Sequence, residues 1–173
     1  AGADLQQFHA HALRGAVRVE ALAVYATDRV EFRGRELLRG RVEPGLFELL
    51  GVRAAVGRLF DERDGAARPA AVLSHRLWQR AFGGDAGVVA RRITLGGTAY
   101  DVVGVLPPDF WFLRREIALW TAITPPGPRV RGGREGGAVV RLKDYAEPRD
   151  AERELSYIAW SLKPQHGVRV QVL

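Results

Sequence analysis

Three small groups of side chains have the chemical character of a reactive site, and two of them contain histidine. His9 and His11 could ligate a metal, and Ser74 beside His75 could form a nucleophile and its base. Side chains two apart on a helix do not share a face, so His9 and His11 cannot chelate one ion from there. Ser74 and His75 diverge similarly, and no Gly-x-Ser-x-Gly turn exposes a serine. We interpret His9 and His11 as surface residues and Ser74 as a helix cap.

The third group is the acidic cluster Asp61, Glu62 and Asp64, whose spacing could suit calcium. A calcium loop also needs a glycine at a fixed offset and a bidentate glutamate at its end, and neither follows. We therefore predict a solvated, exposed loop over 61–69. No glycine-rich stretch matches a phosphate-binding loop, and the chain has no cysteine. The sequence thus predicts no catalytic group, no metal site and no cofactor.

The chain is basic, with a formal net charge of +6 and a pI near 10.4. Arginine supplies 24 of the 26 basic residues. A basic domain can neutralise nucleic-acid phosphates, but here the arginines are thinly spread and no run of five like charges exists. We therefore expect no nucleic-acid partner.

Aromatic side chains concentrate in the middle third of the chain. We expect them to form a core, with Trp78 and Phe82 as central residues on one helix face. Three consecutive side chains on extended backbone cannot all face one way, so part of 110–112 should be exposed. The aromatic residues concerned are Trp78, Phe82, Phe110, Trp111, Phe112 and Trp120.

Hydrophobic periodicity predicts an α+β domain. A short helix is expected from Asp4 to Leu13, followed by a meander of two or three antiparallel strands with turns at Asp28 and at Gly34-Arg35. The middle of the chain predicts a helix over 46–50 that ends at Gly51, a strand over 70–73, a helix capped by Ser74, and a hairpin of 92–95 and 98–105 around Gly96-Gly97.

The C-terminal third predicts a β-α-β unit. A strand at 138–142 precedes an amphipathic helix, and a strand at 168–172 alternates valine with polar residues. The helix is indicated by Ala151, Leu155, Ile158 and Leu162. The segment Pro125–Gly137 is rich in glycine, proline and arginine. We predict that it is a mobile loop or a linker between lobes, and the most mobile internal part of the chain.

No stretch of the sequence is long and apolar enough to cross a bilayer, since a spanning helix needs about 20 apolar residues. The N-terminus Ala-Gly-Ala-Asp lacks a basic and then apolar leader. The chain contains no methionine, so we expect it to be processed or cut from a longer protein.

Several stretches, taken in order, are similar to one known domain family. They are VEPGLFELLGV at 42–52, GRLF at 57–60, VLSHRLWQRAFGGD at 72–85, ITLGG at 93–97, YDVVGVLPPDF at 100–110, LW at 119–120 and VVRLK at 139–143. This set resembles the MacB-like periplasmic core domain of ABC transporter permeases in the MacB/FtsX class, closest to the large acidobacterial-type permeases. The first forty residues match poorly. Ala90, Leu46 and Leu113 stand where the family commonly has glycine, an aromatic residue and proline.

The residues that carry this resemblance are signature positions to which we assign structural roles. They are Phe47, Gly51, Gly57, Arg58, Phe60, Leu73, Ser74, Trp78, Phe82, Gly83, Gly84, Gly104, Val105, Pro107, Phe110 and Trp120.

The resemblance implies a domain outside the cytoplasmic membrane, between the first two transmembrane helices of a permease. Its fold would be a mixed-sheet, porter-like lobe made from both chain ends, 1–45 and 137–173, with a smaller α/β lobe inserted at 46–136. It would be non-catalytic and would transmit ATP-driven motion to extracytoplasmic partners or substrates. Its partners would be the transmembrane helices, the ATPase and a periplasmic adaptor protein. The alternative is a stand-alone extracytoplasmic binding or adaptor module of the same fold without a coupled ATPase.

Overall fold

The computed structural model describes residues 16–65, 67–123, 135–162 and 169–172, which form nine strands and three α-helices. The expected helix from Asp4 to Leu13 lies outside these residues. The strands are β1 Val19–Phe32, β2 Arg35–Val42, β3 Val56–Gly57, β4 Ala70–Leu73, β5 Arg92–Leu95, β6 Thr98–Val105, β7 Ile117–Ala122, β8 Glu135–Leu142 and β9 Arg169–Val172. The helices are α1 Leu46–Leu49, α2 His75–Phe82 and α3 Pro148–Leu162, with a 3₁₀ turn at Ala86–Val88.

All nine strands join one mixed sheet, which confirms the predicted α+β class. The strand order is β3-β6-β4-β7-β2-β1-β8-β9, and β5 pairs with β6. The pairs β2/β7, β4/β6 and β8/β9 are parallel, and the other pairs are antiparallel. The sheet is continuous where β2 meets β7, at the junction between the two expected lobes. The division into lobes stays a prediction.

The first two strands correct the predicted meander, because β1 runs unbroken through Asp28. The carboxylate of Asp28 accepts two hydrogen bonds from the guanidinium of Arg39, at 2.8 and 2.6 Å. Asp28 and Arg39 are directly opposite each other in the β1/β2 register. A cross-strand partner therefore stabilises a residue that is rare in strands, so the turn predicted at Asp28 is wrong and β1 reaches 14 residues.

The local turn signals were more reliable. Gly96 and Gly97 adopt φ of +52° and +83° and join β5 to β6, as the two-residue hairpin requires. The parallel pairing of β8 with β9 confirms the C-terminal β-α-β unit.

The predicted mobile segment Pro125–Gly137 is only partly described, since residues 124–134 lie outside the described residues. Its last three residues are strand, and Gly137 is buried opposite Tyr25, so the prediction is wrong for them.

The hydrophobic interior has two main clusters. The larger cluster contains Phe47 and Trp120, and the second cluster contains Leu73 and Val105. Helix α2 lies at the rim of the second cluster. Trp78 and Phe82 are only partly buried, and no residue of α2 is fully buried. The indole N–H of Trp78 donates to the carbonyl of Asp85 at 2.9 Å. The prediction that Trp78 and Phe82 are central core residues is therefore wrong. The largest fully buried side chain among the described residues is that of Trp120, at 2% exposure.

Candidate functional site

Of the residues first considered for catalysis, the structure describes Ser74 and His75, and each has a structural contact. The hydroxyl of Ser74 accepts the N–H of Leu77 at 3.1 Å, which confirms its capping role at the start of α2. The ring of His75 packs edge-on against Trp78, with ring centroids 5.2 Å apart. His9 and His11 lie outside the described residues. Within the ranges that the structure describes, no three His, Cys, Asp or Glu side chains are grouped to hold a metal ion.

The acidic cluster contains one buried carboxylate, that of Asp64, which pairs with a partly exposed arginine. Asp64 is 1% exposed, so the predicted solvated loop is wrong at this residue. Its two carboxylate oxygens accept from the guanidinium of Arg58 at 2.5 and 3.0 Å, and the N–H of Asp61 donates to it at 2.9 Å. Hydrogen bonds from the side chain and backbone of Arg63 keep the pKa of Asp61 well below its usual range, although desolvation opposes them. This cluster fixes the loop and leaves Glu62 and Arg63 exposed.

Two signature glycines bring the backbone of Arg58 against β6. Gly57 pairs with Gly104 across β3 and β6 and has φ of +70°. A Cβ built on Gly104 would lie 2.0 Å from the carbonyl oxygen of Arg58. Only glycine permits this approach, so the motif residues 57–58 and 104 form one structural unit with the Arg58–Asp64 ion pair.

A second group of signature residues forms the aromatic centre of the larger cluster. Phe47, Phe60, Phe110 and Trp120 lie within one set of ring contacts, with centroids 5.7 to 6.3 Å apart. Gly40 permits the closest approach to this centre, because a Cβ there would lie 1.9 Å from the Trp120 ring. These motif residues are joined by packing, and a direct functional role for them stays a prediction.

The remaining signature residues lie in the second cluster or at turns. Leu73 and Val105 are fully buried in that cluster, and Pro107 follows β6. The glycines that end α1 and α2 adopt the left-handed conformation, as caps require. These glycines are Gly51, Gly83 and Gly84, with φ of +69°, +65° and +72°.

Two positions that depart from the family pattern also have left-handed backbone. Ala90 has φ of +74°, and Leu113 has φ of +63°. Glycine adopts this conformation at no steric cost, whereas a Cβ raises its energy. The family's usual glycine at position 90 therefore suits this backbone better than alanine. Proline could not adopt the φ seen at Leu113, so the loop there has its own local shape.

A groove of 1180 Å³ lies between the β1/β2 hairpin, α2 and the segment before β7. Six arginines and three carboxylates line it, and we call it the arginine groove. Its carboxylates are Asp28, Glu36 and Glu116. Its arginines are Arg29, Arg33, Arg35, Arg76, Arg80 and Arg114.

The groove arginines differ in how they are held. The guanidinium of Arg33 lies 5.0 Å from the ring centres of both Phe32 and Phe82 and donates to a backbone carbonyl. Arg76 donates to the carbonyl of Arg115 at 3.3 Å. The side chains of Arg35 and Arg80 are exposed and have no hydrogen bond or ion pair among the described residues. The arrangement therefore presents cationic donors to an anionic ligand.

One arginine behind the groove is electrostatically constrained. The guanidinium of Arg41 lies 3.9 Å from the carboxylate of Asp28, and that carboxylate forms its shorter ion pair with Arg39. Burial, and then the charge of Arg39, lower the pKa of Arg41, while Asp28 opposes that shift. Burial acts to lower the pKa of Arg39, but the hydrogen bonds and the charge of Asp28 raise that pKa above its ordinary value. The carboxylate of Asp28 is therefore paired with Arg39 and Arg41, and neither of these arginines lines the groove.

The loop between β6 and β7, residues 106–116, borders the groove and exposes one aromatic ring. Trp111 is 56% exposed, which confirms that part of 110–112 faces solvent, and Arg115 stacks on it at 5.2 Å. The neighbours Phe110 and Phe112 pack against Trp120 and anchor the loop. A small pocket of 190 Å³ beside Trp111 shares two arginines with the groove, Arg76 and Arg114.

Sequence reasoning missed the arginine groove. Its arginines come from three segments, 29–35, 76–80 and 114, and each segment has only one to three of them. The excess of arginine over the whole chain was the one available signal. Its grouping depends on the pairing of β2 with β7 and of β7 with β4, which brings these segments together.

Comparisons with known proteins identify the domain type. A family model described as the MacB-like periplasmic core domain matches residues 2–158. The structure is similar to the periplasmic region of MacB from Actinobacillus actinomycetemcomitans, with a TM-score of 0.70 and 14% identity, over 91% of this chain and 73% of that one. It is also similar to the extracellular domain of the noncanonic ABC-type transporter YknZ from Gram-positive bacteria, with a TM-score of 0.69 and 13% identity, over 90% and 82% of the two chains.

No curated protein matches the chain. None of the helices in the described part of the chain is long and apolar enough to cross a membrane.

Proposed function

Because the chain belongs to the family of MacB-like periplasmic core domains, the extracytoplasmic core of ABC transporter permeases, we propose that it transmits ATP-driven motion. The motion would pass from the transmembrane helices and the ATPase to partners or substrates outside the cytoplasmic membrane. The role is mechanical and non-catalytic, and a periplasmic adaptor protein is one candidate partner. The resemblances of fold support this role, and the layout of the sheet is the observation that carries it.

Of the first and last strands along the described chain, β1 begins and β9 ends at the same end of the sheet. Val19 in β1 pairs with Leu142, and Val172 in β9 pairs with Val140, so both lie at the same end of β8. From there β1 runs 14 residues to Phe32, a path of about 43 Å at the usual rise per residue. We propose that the permease's transmembrane helices join the domain at the end near Val19. Movement there is then carried by the continuous sheet to the arginine groove.

A nucleotide-dependent change at the groove tests this role. The chain has no cysteine, so Arg35→Cys gives one labelling site in this domain of the full permease. We expect iodide to quench a fluorophore at that site differently in the nucleotide-free and vanadate-trapped states of the transporter. The same label on the chain without its ATPase should not respond to nucleotide.

The alternative, a stand-alone binding or adaptor module, makes the opposite prediction. No nucleotide state of any ATPase should then change the quenching of that label. Sequencing the gene product on either side of the chain provides a second check, because apolar runs of about 20 residues on both sides fit the permease and do not fit the stand-alone module.

A further inference from the structure

The arginine groove has positive charge that the described residues neutralise only in part. Among those residues, Glu36 and Glu116 form only long ion pairs, at 3.8 and 3.9 Å, and their side chains are 68% and 70% exposed. The third carboxylate, Asp28, is held by arginines outside the lining. Such a lining creates a positive potential that attracts anions and raises their local concentration.

We propose that the arginine groove binds an acidic segment of a partner protein outside the membrane. This inference deepens the proposed function and rests on it for the location of the partner. Guanidinium groups match carboxylates in planar, paired hydrogen bonds, and this chemistry favours aspartate and glutamate side chains.

Part of the groove is already arranged for such a ligand. Arg33 is held between the rings of Phe32 and Phe82, and Arg76 is held by a backbone carbonyl. Side chains fixed before binding lose less conformational entropy when the ligand arrives. Arg35 and Arg80 then supply donors that no described residue uses.

The size of the groove favours a polypeptide over a small metabolite. Its volume of 1180 Å³ exceeds the range of about 300–1,000 Å³ that is usual for small-molecule pockets. It is also partly open to solvent, so a chain segment can enter and leave along its length. Several carboxylates on one segment could then meet several arginines at once.

An exposed aromatic residue beside the groove supports a protein partner. Trp111 projects from a loop whose neighbouring rings are anchored in the core. Tryptophan and arginine are the residue types that most often dominate binding at protein interfaces. The pocket at Trp111 shares Arg76 with the groove, so one partner could contact both.

The position of the groove argues against an anionic lipid surface as the ligand. Phe32, at the groove, is separated from Val19 by the whole length of β1, about 43 Å along the strand. If the transmembrane helices join the domain near Val19, the groove faces away from the bilayer.

Fluorescence anisotropy with a labelled peptide tests the proposal directly. The probe is a dodecapeptide of alternating glutamate and leucine, and its control replaces every glutamate with glutamine. We expect the acidic peptide to bind the chain and the glutamine peptide not to bind. The double variant Arg35→Gln/Arg80→Gln should weaken binding roughly tenfold, since it removes two charged donors.

A matched double variant separates the groove from net charge. Arg53→Gln/Arg149→Gln removes the same charge from two exposed arginines outside the groove lining. We expect it to change peptide affinity less than about twofold. Equal weakening by both double variants, or no binding of the acidic peptide, would overturn the proposal. So would binding to anionic phosphatidylglycerol vesicles that the groove variant weakens, without binding to the peptide.

The peptide assay and the nucleotide assay fail independently. If the peptide does not bind but the Arg35→Cys label still responds to nucleotide, the groove proposal is wrong and the proposed function stands. If the peptide binds but the label is insensitive to every nucleotide state, the groove is a binding site in a module without a coupled ATPase.

Discussion

Arg58 and the arginines of the groove carry the same side chain in contrasting environments. Arg58 gives two hydrogen bonds to the buried carboxylate of Asp64 and a third to the carbonyl of Leu59 at 3.0 Å. Arg35 and Arg80 have no such partner among the described residues. An arginine stabilises the fold when its N–H groups donate hydrogen bonds to a buried acceptor. An arginine whose N–H groups face solvent is available to bind a ligand.

Breaking the Arg58–Asp64 pair should have the largest effect. In Arg58→Met, the carboxylate of Asp64 stays buried without its cation, because its side chain has no exposed surface. We expect a loss of about 3 kcal/mol in the free energy of unfolding, the lower end for a broken buried pair, since Arg58 itself is 38% exposed. Urea denaturation monitored by tryptophan fluorescence measures it.

Two variants check that the cause is the buried charge. Asp64→Asn keeps an oxygen for the N–H of Asp61 and leaves an arginine that can reach solvent, so it should destabilise the chain less than Arg58→Met. Arg63→Met removes an exposed partner of Asp61 and should leave the urea midpoint unchanged. Equal losses for all three would show that Asp64 does not depend on Arg58.

Glu154 provides an intermediate case that sharpens the comparison. Its carboxylate accepts from the N–H of Val17 at 2.7 Å and from Arg18 at 3.0 Å, and it ties α3 to the start of β1. Burial opposes ionisation, but these two donors lower the pKa of Glu154 below its ordinary value near 4.5. Because the pair is partly exposed, Glu154→Gln should cost no more than about 1 kcal/mol at pH 7.

The pH dependence of that loss has a definite sign. A carboxyl group with a lowered pKa in the folded state stabilises the fold above its unfolded pKa, and it loses that effect as the pH falls through the folded value. The stability difference between Glu154→Gln and the parent chain should therefore be full at pH 7. It should shrink only below about pH 4.5. A difference that stays constant down to pH 2 would contradict the role of the charge.

The groove substitutions should have the smallest effect on stability. Arg35→Gln/Arg80→Gln removes no described hydrogen bond or ion pair, so the free energy of unfolding should change by no more than about 0.5 kcal/mol. Thermal and urea unfolding of this variant, beside Arg58→Met, checks the contrast. A loss comparable with that of Arg58→Met would show that the groove arginines serve the fold.

The sequence predicted the parts of this molecule that depend on neighbouring residues. The Gly96-Gly97 hairpin and the Ser74 cap follow from local backbone and hydrogen-bonding rules, and the structure confirms both. The order of short motifs identified the family, which the match over residues 2–158 confirms. Local chemistry and motif order were therefore sufficient for the class of fold.

The errors came from residues whose roles depend on distant partners. Aspartate is a residue type common in turns, but the ion pair with Arg39 on the neighbouring strand β2 stabilises Asp28 within β1. Asp64 lies in a polar, acidic segment that is typical of a solvated loop, but its carboxylate is buried and pairs with Arg58. The grouping of the groove arginines requires the strand order, which periodicity does not provide.

Lipid quenching of two labels in the full permease is the most direct test of the central claim, that the groove is held away from the membrane to meet a partner. Single cysteines replace Glu20, near the start of β1, and Arg35, at the groove; both side chains are exposed. With the permease in nanodiscs that contain headgroup-nitroxide lipid, a fluorophore at position 20 should be quenched and one at position 35 should not, since about 43 Å of strand separates the two regions. Quenching at position 35 with none at position 20 would place the groove at the bilayer and contradict the account.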